Sequence, residues 1–163
     1  MSTEENNKAL GRREVEEIFS EGKLDVADEI YSSDFVDYDL VLPQTMNGPE
    51  EMKEYVSMYR SAFPDLEVTL EDQVAEGDKV VNRWTARGTH QGEYMGVSPT
   101  GKEVQFAGMH ISRVNAESKI AENWEVYDLM ALMRQIDAAQ LRQGEDEAPP
   151  PSERQVTERA SES

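Results

Sequence analysis

Met52-Lys-Glu-Tyr-Val-Ser-Met-Tyr-Arg-Ser-Ala-Phe-Pro-Asp-Leu-Glu-Val-Thr-Leu70 contains the change of period that decides the fold. Met52, Tyr55, Val56, Tyr59 and Phe63 recur at three- and four-residue steps, the apolar stripe of an amphipathic helix. Pro64-Asp65 stops that pattern. Leu66, Val68 and Leu70 then alternate with polar residues, the period of a strand with one buried face. Asn47-Gly48-Pro49 opens the helix: Asn47 or Gly48 caps it, and Pro49 sits where its missing N–H costs nothing. Glu50 and Glu51 complement the helix dipole.

Working outward, Thr3 to Ser20 reads as a helix capped by Ser2 or Thr3, with Glu4 and Glu5 in its first turn. A short second helix follows at about Asp25 to Tyr31, then a brief strand from Phe35 to Asp39. Downstream, Glu76-Gly77-Asp78 makes a hairpin turn. The next strand places Val80, Asn82, Trp84 and Ala86 on one face, and Gly88 to Gly101 is a loop. Val104, Phe106, Gly108, His110 and Ser112 then alternate with Gln105, Ala107, Met109, Ile111 and Arg113. A turn at Asn115 to Lys119 leads to a last strand, Ile120 to Tyr127, and Asp128 to Gln140 returns to helical spacing. Helices packed on one face of a strongly curved, mostly antiparallel sheet make an α+β fold that encloses a cavity. Residues 1–141 form this domain, and the acidic, Pro-rich residues 142–163 are expected to be a disordered tail.

Composition excludes several functions. The chain has 163 residues and no cysteine, so thiolate catalysis and zinc–thiolate sites are ruled out. A net charge of −18 repels phosphate backbones and anionic lipid, so neither nucleic acid nor membrane is expected as a partner. Met1 to Asn7 lacks the basic and apolar regions of a signal peptide, and a cytoplasmic location is expected.

The landmarks Phe35-Val-Asp-Tyr38, Asn47-Gly-Pro-Glu50, Phe63-Pro-Asp-Leu66, Ala75-Glu-Gly-Asp78 and Val80-Val-Asn-Arg-Trp84 occur in a telling order. Gly88-Thr-His-Gln-Gly92, Gly96-Val-Ser-Pro-Thr-Gly-Lys102, Glu122-Asn-Trp-Glu-Val-Tyr-Asp128 and Leu132-Met-Arg-Gln135 complete the series. Across Val15 to Leu141 it resembles the SnoaL-like polyketide cyclases (ester cyclases) of the NTF2-like superfamily. The resemblance implies an NTF2-like cone, homodimerisation through the exposed sheet face, and cofactor-independent acid/base chemistry on a small carbonyl or polyketide-like substrate. Tyr38 departs from the family by standing where a histidine is common.

Asp128 matches the family's acid/base aspartate, and it faces the concave side if alternation runs inward from Trp124 and Val126. As a residue at a helix start it is equally a natural N-cap. His110, among Val104, Phe106 and Gly108, is the second catalytic candidate, as a donor to an oxyanion. Trp124, Tyr55, Tyr59, Phe106, Trp84 and Tyr38 are the candidate substrate-binding residues. His90 is expected to be solvated, and Glu122 and Glu125 to be surface groups. No metal site or cofactor is expected, since the two histidines lack a carboxylate at ligand spacing. The alternatives are a noncatalytic NTF2-like ligand-binding or dimerisation module, and an epoxide-hydrolase-like Asp–Arg–Asp site drawing on Arg83, Arg87 or Arg113.

Arginine outnumbers lysine on this acidic chain, a composition suited to the high-salt interior of a halophile, where screening relieves self-repulsion. The melting temperature is therefore expected to rise from low to molar KCl, and a melting curve indifferent to salt would overturn the expectation.

Overall fold

The computed structural model describes residues 2–136. The tail expected at residues 142–163 and the end of the helix expected to reach Gln140 lie outside them. Ser2 caps the first helix, α1 (Thr3–Arg13): its hydroxyl accepts from the Glu5 N–H, and the Glu5 carboxylate accepts from the Ser2 N–H. The helix continues without a break, but residues 14–20 widen into a π-helical turn in which the Glu21 N–H reaches back to the Glu16 carbonyl. That turn buries Glu14, Val15 and Ile18 together. A short α2 (Val26–Ile30) leads into β1 (Tyr31–Asp39), four residues longer at its start than its sequence pattern indicates.

Strand β2 (Gln44–Asn47) pairs back on β1 before α3 (Gly48–Ala62). This short edge strand carries no period-two signal. After α3 the chain runs through β3 (Glu67–Glu76), β4 (Lys79–Thr89), β5 (Glu103–Val114) and β6 (Ile120–Tyr127) to α4 (Leu129–Ile136). The sheet order is β2-β1-β6-β5-β4-β3, antiparallel except for the β1–β6 pair. Register breaks at Leu70/Asp72 and Arg113/Val114 are bulges of the kind that bend and twist a sheet. The concave face closes over α1, the π-helical turn and α3, around Ile18, Phe35, Met52, Val56, Phe63 and Ile120, all fully buried.

The loop from Gly88 to Gly101 is held down firmly. Gln91 and Gly92 donate to the Ala62 carbonyl at 3.0 Å, and a Cβ on Gly92 would lie 2.2 Å from the Ser61 carbonyl oxygen, so only glycine fits there. His90, expected in solvent, is fully buried. Its Nδ1 accepts from the Thr100 N–H at 3.2 Å, and its ring lies 5.6 Å from that of Phe63. The loop folds back on itself and supplies the polar partner that water would otherwise provide. No helix among the described residues is long and apolar enough to cross a membrane.

Candidate active site

Period two sets which side chains enter the cone. On β4 the buried residues are Val80, Asn82, Ala86 and Gly88; on β5 they are Val104, Phe106, His110, Ser112 and Val114. On β6 the inward residues are Asn123, Glu125 and Tyr127, and on β1 they are Phe35, Asp37 and Asp39. Antiparallel pairing sets His110 opposite Glu125 and Ser112 opposite Asn123. The elements therefore enclose a cavity of about 40 Å³ whose polar wall is Glu14, His110, Asn123 and Glu125. Tyr55, Tyr59, Trp84, Phe106 and Tyr127 complete its aromatic wall, with Trp84 set edge-on to Phe106 at 5.8 Å.

Two pairs of buried ionisable groups lie at or directly behind this wall. In the first, His110 Nε2 lies 2.5 Å from Glu14 Oε1, both residues being buried. Burial opposes charge on each, but the mutual attraction outweighs it: the His110 pKa is raised and that of Glu14 lowered. The pair therefore favours an imidazolium facing a carboxylate. The Asn123 amide donates to Glu14 Oε2 at 2.9 Å, and Ser112 donates to the Asn123 carbonyl oxygen at 2.7 Å. The Asn82 amide flanks the imidazole at 3.0 Å.

In the second pair, Asp37 and Glu125 are buried carboxyls close enough for each to shift the other's pKa. No neighbouring N–H or O–H meets hydrogen-bond geometry with either Asp37 oxygen. Two carboxyls so placed hold a proton between them, because both cannot ionise in a desolvated site. Burial pushes Asp37 up to about 7, with the charge of Glu14 adding to it. Burial and then the charge of Asp37 raise Glu125 well above the usual carboxylate range. Tyr55 reaches into this pair, its hydroxyl donating to Glu125 Oε1 at 3.2 Å.

The structure sorts the sequence-based candidates. His110, Tyr55, Tyr59, Phe106 and Trp84 all line the cavity. Asp128 does not: it is exposed, and its Oδ1 accepts from the Ala131 N–H at 2.9 Å as the cap of α4. Trp124 is on the outer face as well, stacked on Tyr38 at 5.8 Å, and neither ring lines the cavity. The inward parity expected from Trp124 and Val126 is thus off by one residue. Glu125, expected at the surface, is the buried member of that strand, whereas Glu122 does pair outside with Arg113 at 2.6 Å. Among the described residues no arginine or lysine lines the cavity, so they form no Asp–Arg–Asp arrangement there. Among the described residues no group of three His, Cys, Asp or Glu side chains is arranged to hold a metal ion.

A family model described as SnoaL-like polyketide cyclase matches residues 9–136. Among solved structures, a proposed SnoaL-like polyketide cyclase from Jannaschia sp. CCS1 is 26% identical with a TM-score of 0.76, over 92% of this chain and 98% of that one. IdmH, a proposed polyketide cyclase from Streptomyces antibioticus, is 29% identical with a TM-score of 0.71, over 80% of this chain and 98% of its own. AclR, a proposed hydroxylase from Streptomyces galilaeus, is 25% identical with a TM-score of 0.74, over 98% and 94%. The shared architecture is the NTF2-like, or ketosteroid isomerase-like, cone. No curated protein matches the sequence.

Asp37 supplies a prediction about stability. It stays protonated to about 7 when folded, whereas an unfolded aspartate ionises near about 3.9. A carboxyl raised in this way contributes stability below the unfolded pKa and loses it as pH rises through the folded one, here from about pH 4 to 7. Asp37→Asn is expected to leave stability nearly unchanged at pH 4 and to raise it by roughly 2–4 kcal/mol at pH 8. Denaturant unfolding at the two pH values measures this, and an equal effect at both would refute it.

Proposed function

The chain belongs to the SnoaL-like polyketide cyclase family, and from that premise we propose that it is a cofactor-independent acid/base enzyme closing a ring in a small carbonyl compound. The observation that carries this reading is the Glu125 carboxyl, set in the wall of an aromatic cavity with its pKa raised by burial and by Asp37. A general base serves best with its pKa near the operating pH, and burial moves the Glu125 carboxyl upward from the ordinary carboxylate range.

The step balances within one substrate molecule. Ionised Glu125 takes a proton from the carbon between two carbonyls, leaving an enolate. The enolate carbon attacks another carbonyl carbon of the same molecule, forming a C–C bond, and the C=O π pair moves onto oxygen. The protonated carboxyl returns its proton to that alkoxide. The His110 imidazolium, held by Glu14, places fixed positive charge beside the developing anion. Asp37 does not line the cavity and acts through Glu125 as a positioning residue. A noncatalytic binding module is the contrasting reading, in which the cavity only holds an apolar ligand.

Exchange of the C2 proton of ethyl acetoacetate for deuterium, followed by NMR, tests the chemistry. The protein is expected to accelerate exchange, increasingly as rising pH ionises Glu125. Glu125→Gln is expected to remove at least about a hundredfold of that acceleration, and Asp128→Asn to keep it. Undiminished exchange in Glu125→Gln would sink the proposal.

The outer sheet face supports a homodimer. Val81, Ile111, Trp124 and Tyr38 stand in register across β4, β5, β6 and β1, beside Met109 and Val126. Ile111, Met109 and Val126 are exposed, an apolar band suited to a second copy of the same sheet. Sedimentation is expected to give a dimer at micromolar concentration and a monomer for Ile111→Arg; a monomeric native chain would refute it.

A further inference from the structure

Glu125 and His110 stand opposite each other on β6 and β5, and each has one polar atom already engaged. His110 Nε2 lies against Glu14, and Glu125 Oε1 accepts from the Tyr55 hydroxyl at 3.2 Å. Among the described residues nothing hydrogen-bonds to the remaining atoms, His110 Nδ1 and Glu125 Oε2, and both side chains line the cavity. We propose that Tyr55 is the positioning residue of this site: its hydroxyl holds Oε1, leaves Oε2 for the substrate proton and sustains the ionised carboxylate. This assignment rests on the acid/base reading above.

Helix α3 fixes where that hydroxyl points. Met52, Tyr55 and Tyr59 share the helix face that lines the cavity, and the Tyr55 ring is set edge-on to that of Tyr59 at 5.1 Å. The neighbouring tyrosine hydroxyls each have another partner. That of Tyr59 pairs with Tyr94 at 3.0 Å, and that of Tyr127 donates to Asp39 at 2.8 Å. Tyr55 is the one aimed at the proposed base. A phenylalanine would fill nearly the same buried volume, so packing accounts for the ring and not for the hydroxyl.

Ionised Glu125 has little other support. Asp37 and Asp39 face it from β1, and the His110 facing it from β5 is already matched by Glu14 of the π-helical turn. Among the described residues no lysine or arginine lines the cavity. Burial, Asp37 and Asp39 all oppose ionisation of Glu125, and the Tyr55 hydroxyl favours it. The phenol keeps its own proton, because burial and then the charge of Glu125 raise its pKa well above the usual range. It therefore remains a donor beside the carboxylate.

Carbon-13 NMR titration of the Glu125 side-chain carboxyl in the full chain, assigned by its loss in Glu125→Gln, tests this without a substrate. Tyr55→Phe is expected to move the midpoint up. Replacing Tyr55 by 3-fluorotyrosine, a more acidic phenol and so a stronger donor, is expected to move it down. Circular dichroism checks that both variants fold. Deuterium exchange into ethyl acetoacetate at neutral pH is expected to fall at least about tenfold in Tyr55→Phe, and to recover in part as pH rises. A midpoint unmoved in both variants, or exchange lowered equally at every pH, overturns the assignment. Absence of exchange in the native chain counts instead against the acid/base reading, whereas an unmoved midpoint counts against Tyr55 alone.

Discussion

The buried contact between Glu14 and His110 is the constraint around which the site is arranged. It ties the N-terminal helix to the middle of the sheet. Taking two charges out of water is costly, and losing one partner of such a pair destabilises by about 3–5 kcal/mol. The surroundings reflect that cost. Asn123 donates to one oxygen of the carboxylate and is itself held by Ser112, Asn82 borders the ring, and Gln73 fixes Asn82 by donating to its side-chain oxygen at 2.7 Å. Gly11 is part of the same arrangement, since a Cβ there would lie 2.7 Å from the Asn82 amide nitrogen. The inward polar residues of β4, β5 and β6 are thereby oriented by a single ion pair.

That pair also determines what Asp37 and Glu125 can do. Glu14 and His110 cancel each other's charge, so the second pair meets burial with little net compensation and keeps its proton. The two pairs thus answer burial in opposite ways: attraction favours charge on the first, and repulsion favours a proton on the second. A wall divided in this way offers a fixed cation and an exchangeable proton within one small space.

Most of the fold was legible in the sequence, and less of the site. The helix at α3, the hairpin at Gly77 and the inward faces of β4 and β5 follow from period, because there the buried face is the apolar one. On β6 that rule misleads. Its outer residues Trp124 and Val126 are the more apolar, and its inner ones are Asn123, Glu125 and Tyr127. The bulge at Arg113/Val114 shifts the register by which His110 would have pointed to Glu125, and a bulge leaves no plain mark in sequence. Glu14 was hidden because its charge assigns it to solvent like its neighbours Glu16 and Glu17, although it lies four residues from both Leu10 and Ile18 on one helix face. Asp37 had a signal: two residues after Phe35 on one strand, it shares the buried side.

The π-helical turn has a consequence for how this chain tolerates change in length. A π-helical turn accommodates one residue more than an α-helix needs to cover the same rise. Residues before it are docked independently of those after it: Asn7 donates to the Gly77 carbonyl at 3.3 Å, and Gln73 to the Lys8 carbonyl at 2.8 Å. Deleting one residue between 14 and 20 would restore regular pitch with both flanks near their present phase, whereas a deletion in the regular turns between Lys8 and Glu14 would swing everything upstream by about 100° around the axis. Either the N-terminal turns would leave the β3–β4 hairpin, or Glu14 would leave His110. The extra residue acts as a phase adjuster between two anchor points, and the helix can be lengthened freely only at its Ser2 end.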